Sequence, residues 1–197
     1  MIEDFTRTAT IAFKAEGDLI FLIGGDEAAR TPAPHIGQSI WLREIHGRAD
    51  GPAPIVDVQL ERDTGLLVRN LVEGGFVNAV HDVSDGGPLV AISEMALAGS
   101  IGAAIGLEVA DMHTEAQQMF AENQGYYLVT ATRSNSDEID AMCFSRGIDC
   151  VPIGRTGGLS IDLLAVESGK PDEMVASVCL SDLHTANERF FREWMER

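Results

Sequence analysis

Lysine is almost missing from this chain: Lys14 and Lys170 are the two in 197 residues. With 14 basic against 31 acidic side chains and a formal charge of −17, the chain lacks the cationic surface that neutralises nucleic-acid phosphates or settles on an anionic membrane. Neither nucleic acid nor a membrane is an expected partner. Any phosphate must be met by backbone amides, arginine or a divalent metal. Cysteine is scarce as well: Cys143, Cys150 and Cys179 have no CxxC spacing and cannot all pair. That excludes a disulfide framework and reads as buried or half-buried thiols in a reducing compartment. No apolar run approaches ~20 residues, and the opening MIEDFTRT carries acid where a secretory leader carries base, so the cytoplasm is the default location. GxxxxGK[ST], HExxH and GxSxG are absent, which removes the P-loop, zinc-peptidase and α/β-hydrolase readings.

What is present is a globular composition, 45% hydrophobic and 23% charged with 20 glycines. A chain of this length buries roughly 70% of its extended surface and needs neither metal nor disulfide to fold. There is no internal repeat, low-complexity tract or long linker, so residues 1–197 read as a single domain.

The alternating stretch Thr8–Phe13, then Glu16-Gly17-Asp18 and the apolar run Leu19–Ile23, reads as a β-hairpin ended by Gly24-Gly25-Asp26, with Pro32 and Pro34 in an exposed loop. A helix from His35 to His46 would bury Ile36, Ile40, Trp41 and Ile45 and stop at Gly47. A longer one from Val56 to Glu73 would bury Val56, Leu60, Leu67, Leu71 and Val72. Strands are expected at Phe76–Val83, Ile101–Val109, Tyr126–Ala131, Cys150–Ile153 and Leu159–Ala165. Ile101, Ala103, Ile105, Leu107 and Val109 alternate strictly, so one face of that strand is buried. Helices are expected at Pro88–Ala98 (closed by Gly99), Thr114–Ala121, Asp137–Arg146 and Ser181–Met195, the last amphipathic through Leu183, Phe190, Phe191 and Trp194. Gly157-Gly158 reads as a turn between strands. His35, His46, His113 and His184 read as surface or helix-end residues. The mixture is an α+β fold, a mixed α/β sandwich.

The stretch that carries chemistry is His81-Asp82-Val83-Ser84-Asp85-Gly86-Gly87-Pro88. An apolar strand ends in a polar, glycine-rich turn and a helix begins at once. Gly86 and Gly87 permit close backbone approach, and Pro88 suits the first helical position. Such a turn aims backbone amides and a helix N-terminus at one point, which favours phosphate. Asp82 and Asp85 add hard oxygen ligands for Mg²⁺, and Ser84 a hydroxyl for a phosphate oxygen. The plainer alternative is that Ser84 or Asp85 caps the helix and no ligand is involved.

HDVSDGG resembles the signature of the C-terminal ATP-handling domain shared by aminoimidazole ribonucleotide synthetase and its relatives. Gly37-Gln38-Ser39-Ile40-Trp41-Leu42-Arg43-Glu44-Ile45, Ala91-Ile92-Ser93-Glu94-Met95-Ala96, Ala121-Glu122-Asn123-Gln124-Gly125, Ile153-Gly154 and the closing Asn187-Glu188…Trp194-Met195 narrow it. Together they resemble the last domain of the phosphoribosylformylglycinamidine synthase family, from Ile2 to Met195. The resemblance implies a sandwich fold like that of the aminoimidazole ribonucleotide synthetase C-terminal domain. It also implies an ATP-dependent C–N ligase of de novo purine synthesis whose catalytic groups lie in preceding domains of a longer synthetase. Met1-Ile2-Glu3-Asp4-Phe5 looks like the junction where the last domain starts, so the chain reads as an excised domain without catalytic residues, inactive alone.

Carried over by position, the resemblance implies Asp82 as a Mg²⁺ ligand, with Asp85 beside it, and Ser84, Gly86 and Gly87 around the phosphates of ATP or ADP in an auxiliary cleft. The implied partners are the preceding domains and a glutaminase subunit. Two positions depart from the family pattern: Pro88 replaces a usual leucine, and Tyr126 stands where arginine follows the QG pair, which removes a phosphate or partner contact. Two alternatives stay open: a non-catalytic scaffold with a vestigial site, and the C-terminal half of a selenophosphate or aminoimidazole ribonucleotide synthetase.

Overall fold

The computed structural model describes residues 7–26, 35–108, 112–166 and 172–196. Its centre is a seven-stranded mixed sheet. In chain order the strands are β1 (Leu19–Asp26), β2 (Ala79–Asp82), β3 (Ala103–Glu108), β4 (Tyr127–Ala131), β5 (Ile148–Thr156), β6 (Ser160–Val166) and β7 (Glu173–Cys179). Across the sheet they run β2-β4-β1-β5-β3-β6-β7. The β3–β6 pair is parallel and the other five are antiparallel.

Period-2 alternation along β1 divides the core in two. Ile20 and Leu22 face one side with Leu128, Ile105 and Ile161; Leu19, Phe21 and Ile23 face the other with Val129 and Ala131. On the first side α3 (Gly87–Gly99) contributes Ala91, Ile92, Met95 and Ala96, α4 (Met112–Phe120) contributes Met119, and α6 (Leu180–Met195) contributes Leu180 and Leu183. On the second, α2 (Val58–Gly74) contributes Leu67, Val68 and Leu71, and α5 (Ser136–Phe144) contributes Ile139 and Cys143. Helices therefore cover both faces of one sheet, the mixed α/β sandwich expected.

The N-terminal hairpin does not form. Among the described residues, Thr8–Phe13 makes one isolated bridge, Thr10 to Ala79, while β1 inserts between β4 and β5. Those two partners satisfy both edges of β1, which leaves the preceding segment no place in the ladder. β7 was not expected: every residue in it is exposed, so it lacks the buried alternation that marks a strand.

Helix boundaries also shift. A sixth, short helix among the described residues, α1, spans only Ile40–His46, because Gln38 takes a positive φ of 60° and Ser39 then caps the helix, accepting the Leu42 N–H at 3.1 Å. Leu42, rather than Ile45, is its buried side chain. Asp57 caps α2 by accepting from Gln59 and Leu60, both at 3.0 Å, which leaves Val56 outside and exposed. Gly99 is the last residue of α3 rather than its stop; Ser100 takes the left-handed cap. Gly99 is needed because Phe13 crosses there: a Cβ would stand 2.5 Å from the Phe13 carbonyl oxygen. Gly157-Gly158 joins β5 to β6, as expected, but over the start of the intervening β3, exchanging backbone hydrogen bonds with Gly102 at 2.8 Å. Pro32, Pro34, Val109, the Met1–Phe5 junction and the side chains of His113, Phe190 and Phe191 lie outside the described residues.

Candidate functional site

β2 delivers the HDVSDGG stretch to the edge of the sheet. After Asp82 the strand direction is kept for one residue by the Val83 N–H, which donates to the Tyr126 carbonyl at 2.8 Å. The chain then turns: the Gly87 N–H donates to the Ser84 carbonyl at 3.1 Å, and Gly86, with φ 83°, is the N-cap of α3. No side chain caps this helix, so Ser84 and Asp85 do not hold the role that the plainer alternative gave them. Pro88 is the second helical residue rather than the first, still within the turn where a missing N–H breaks no intrahelical bond.

The amides expected to face phosphate have acceptors within the protein. The Gly86 N–H donates to the Glu122 carboxylate at 2.9 Å, and the same oxygen accepts the Ile40 N–H, at the start of α1, at 2.7 Å. One carboxylate thus ties together the three stretches GQSIWLREI, HDVSDGG and AENQG. Charge-assisted bonds of this kind are about twice as strong as neutral ones. Stacking reinforces the joint: Trp41 of α1 lies 5.7 Å from Phe120 at an interplanar angle of 22°, and His46 meets the Trp41 edge at 4.5 Å. Gly87 is required by the same packing, since a Cβ there would stand 2.7 Å from Cα of Phe120. In the sequence the one signal for Glu122 is its membership of the AENQG stretch.

The side chains left facing solvent are Asp82, 67% exposed, Ser84 and Asp85. Arg43 of α1 supplies cationic charge nearby. Its guanidinium is held further above its usual value by the hydrogen bond and charge of Glu44, then by Glu122 and Asp85. Behind the turn, His81 Nε2 meets the Glu94 carboxylate at 2.8 Å, while its buried Nδ1 lacks a hydrogen-bond partner and stands 3.5 Å from Asp82 Oδ1. Among the described residues no three His, Cys, Asp or Glu side chains converge on a metal position. The donors this turn offers are one or two carboxylates, Asp82 and Asp85, so Mg²⁺ could be held here only together with oxygen ligands from outside the chain.

Beside the turn, a half-open cavity of about 310 Å³ lies between α3, α4 and the sheet, lined by Val83, Leu89, Ile92, Met119, Tyr126 and Ile153 among others. Tyr126 is half-buried against Gly25. Burial first, then the charge of Asp149, pushes its phenol up; burial, then Asp82 and Glu61, does the same to Tyr127. These are the chain's two tyrosines. A raised phenol favours the protonated native state, so this stability is complete below the unfolded pKa of about 10 and is lost as pH rises past it. Ultraviolet titration should find both phenols ionising above that value in the native chain and near it in denaturant. A native phenol titrating at the ordinary value would contradict the packing.

The class is given by the match of the chain's own sequence: it belongs to the AIR synthase related protein, C-terminal domain family, whose match covers residues 15–162. Within that class it is 40% identical over 199 residues to the phosphoribosylformylglycinamidine synthase subunit PurL of Erythrobacter litoralis, a match taking in 100% of this chain and 25% of that protein. It is 38% identical over 195 residues to PurL of Rhizobium meliloti, covering 99% and 24%. The chain therefore spans about a quarter of the length of these curated relatives. Among solved structures, T. maritima PurL complexed with ATP superposes with a TM-score of 0.67 at 16% identity, covering 91% of this chain and 27% of that one. The hydrogenase maturation protein HypE of E. coli gives 0.54 at 14%, covering 86% and 52%. At such identities the likeness is one of fold.

Proposed function

We propose that the chain is the C-terminal domain of a PurL-type phosphoribosylformylglycinamidine synthase and works in the cytoplasm as part of an ATP-dependent C–N ligase. The observation that carries this reading is 40% identity to a PurL subunit along the whole chain. The parent reaction would convert formylglycinamide ribonucleotide to formylglycinamidine ribonucleotide. ATP phosphorylates the amide oxygen to an iminophosphate, and ammonia from glutamine displaces phosphate. Catalytic groups, the preceding domains and a glutaminase subunit would be supplied by the rest of the assembly. A T. maritima PurLQS structure is among the relatives of this fold.

This domain's share is one wall of an auxiliary Mg²⁺–nucleotide cleft. Asp82, with Asp85 beside it, would hold the metal, which would neutralise phosphate charge that two lysines cannot. Ser84 would donate to a phosphate oxygen. Gly86 and Gly87 would shape the turn, since Glu122 and the Ser84 carbonyl already accept their N–H groups. Relatives of the fold are known as T. maritima PurL complexed with ATP and with ADP. The filled Gly86 amide also favours a second reading, a scaffold whose turn is closed by its own carboxylate and binds nothing.

Substituting Asp82→Asn in the synthetase subunit that carries this domain separates the two. A ligand at 100 times its Kd contributes about 2.7 kcal/mol, so MgADP should raise the melting temperature of the parent and much less that of the variant. The unliganded variant should melt as the parent does, because the exposed carboxylate packs against little. A MgADP shift that survives Asp82→Asn unchanged puts the bound nucleotide elsewhere in the subunit, rejects the metal role of Asp82 and leaves this turn as scaffold. The 197-residue chain alone should show no synthase turnover with substrate, ammonia and MgATP, and should bind MgADP more weakly than roughly 10 µM, because one wall of a cleft buries little of its ligand. Turnover, or tighter binding, by the isolated chain overturns the shared-cleft reading.

A further inference from the structure

On the face of the sheet opposite α3, two of the three cysteines meet. Cys143 is the penultimate residue of α5 and 1% exposed. Cys150 is the third residue of β5, partly exposed, and register partner of Ile23. Both belong to the core cluster formed by Phe21, Ile139 and Ile148. The connection between them is tight: the Arg146 N–H donates to the Cys143 carbonyl and the Gly147 N–H to Phe144, both at 3.0 Å, and Gly147 turns the chain with φ 63°. This turn returns the chain so that Cys143 of α5 and Cys150 of β5 pack into the same cluster, each the strongest influence on the other's thiol. Cys179, at the end of β7, is exposed and remote from that cluster.

We infer that Cys143 and Cys150 are an oxidisable dithiol, a modification site at which a small peroxide forms a reversible disulfide between α5 and β5. The neighbouring thiol draws Cys143 below its ordinary value and pushes Cys150 up; Arg146 assists the first and Asp140 the second. The thiolate is the reactive form, here that of Cys143, and the disulfide that results is the same whichever sulfur is oxidised first. Peroxide is small enough to enter past the partly exposed Cys150. Cys143 thiolate attacks hydrogen peroxide and breaks its O–O bond, giving a sulfenic acid and hydroxide, which takes up a proton to become water. Cys150 sulfur then displaces the sulfenic hydroxyl, which leaves as a second water with the Cys150 proton. Two thiols lose two hydrogens and one peroxide becomes two waters. Among the described residues no third ligand joins the pair to make it a metal site.

Arg146 lies between the two cysteines, so trypsin separates them into residues 134–146 and 147–155. The full chain as the cell makes it is exposed to dilute hydrogen peroxide, its remaining thiols are alkylated, and the digest is mapped by mass spectrometry. The expected product is these two peptides joined, lighter by two hydrogens than their sum and separated again by dithiothreitol, in larger yield than any linkage through Cys179. In Cys150→Ser, Cys143 should stop at the sulfenic acid and be captured by dimedone. If both peptides are recovered alkylated while Cys179 is oxidised, or if Cys143 and Cys150 advance to separate sulfinic acids without a link, the proposal fails. The wild-type map decides this even if the serine variant does not fold.

Discussion

Alanine at Gly87 is expected to destabilise the fold by about 3 kcal/mol or more, the sum of a left-handed backbone penalty and an overpacked contact. Gly87 has φ 74°, and its Cβ would stand 2.7 Å from both Cα and C of Phe120. Those are backbone atoms at the end of α4, so relief requires moving the segment that carries Glu122. Gly47 is the matched comparison, with φ 62° and nothing within 4 Å of its would-be Cβ; Gly47→Ala should cost only about 1 kcal/mol. Denaturant unfolding of both variants measures the difference. Equal losses would show that the end of α4 yields freely and that the close approach is not what selects glycine at 87.

Removing the Glu122 carboxylate should be nearly as damaging. Glu122→Ala leaves the N–H groups of Ile40 and Gly86 without their acceptor, and hydrogen bonds to a charged group are worth about 1.5–3 kcal/mol each, so a loss of about 3 kcal/mol is expected. Glu122→Gln keeps an acceptor oxygen and gives up its charge, and about 1 kcal/mol should be lost. Because α1 is anchored through Ile40, the alanine variant should also free Trp41 from its stack on Phe120. A tryptophan fluorescence change below the global unfolding transition would report that release. If Glu122→Ala unfolds like the parent, Glu122 is not the brace between the three stretches.

Elements whose cause is local could be read from the sequence. Gly47 ends α1 as expected because its left-handed φ serves a helix C-cap. The alternation of Ala103, Ile105 and Leu107 gave their common face, and all three are buried in one cluster. The failures are non-local. Nothing near Leu19–Asp26 in the chain reveals that its partners are Tyr127–Ala131 and Ile148–Thr156, and the local pattern points instead to the nearest apolar stretch. β7 is held by its ladder to β6 with all its residues exposed, and a strand without a buried face leaves no periodic trace. The site divides in the same way. Asp82, Ser84 and Asp85 stand exposed in a strand-to-helix turn, as their spacing indicated, while the acceptor of the Gly86 amide comes from Glu122, on a separate segment.

The position of β1 bears on how the chain must be made. Of the described strands it is synthesised earliest, yet it lies between β4 and β5, and its Leu19 pairs with both Ala131 and Arg155. At ordinary elongation rates of 5–20 residues per second, the apolar run Leu19–Ile23 waits on the order of ten seconds for its second neighbour. During that interval it is a bare strand able to pair with the same run on a neighbouring nascent chain. Glu16 and Asp18 ahead of it, and Asp26 at its end, place like charges at both ends of any such pairing in register. These acids act as gatekeepers before they have any place in the finished fold.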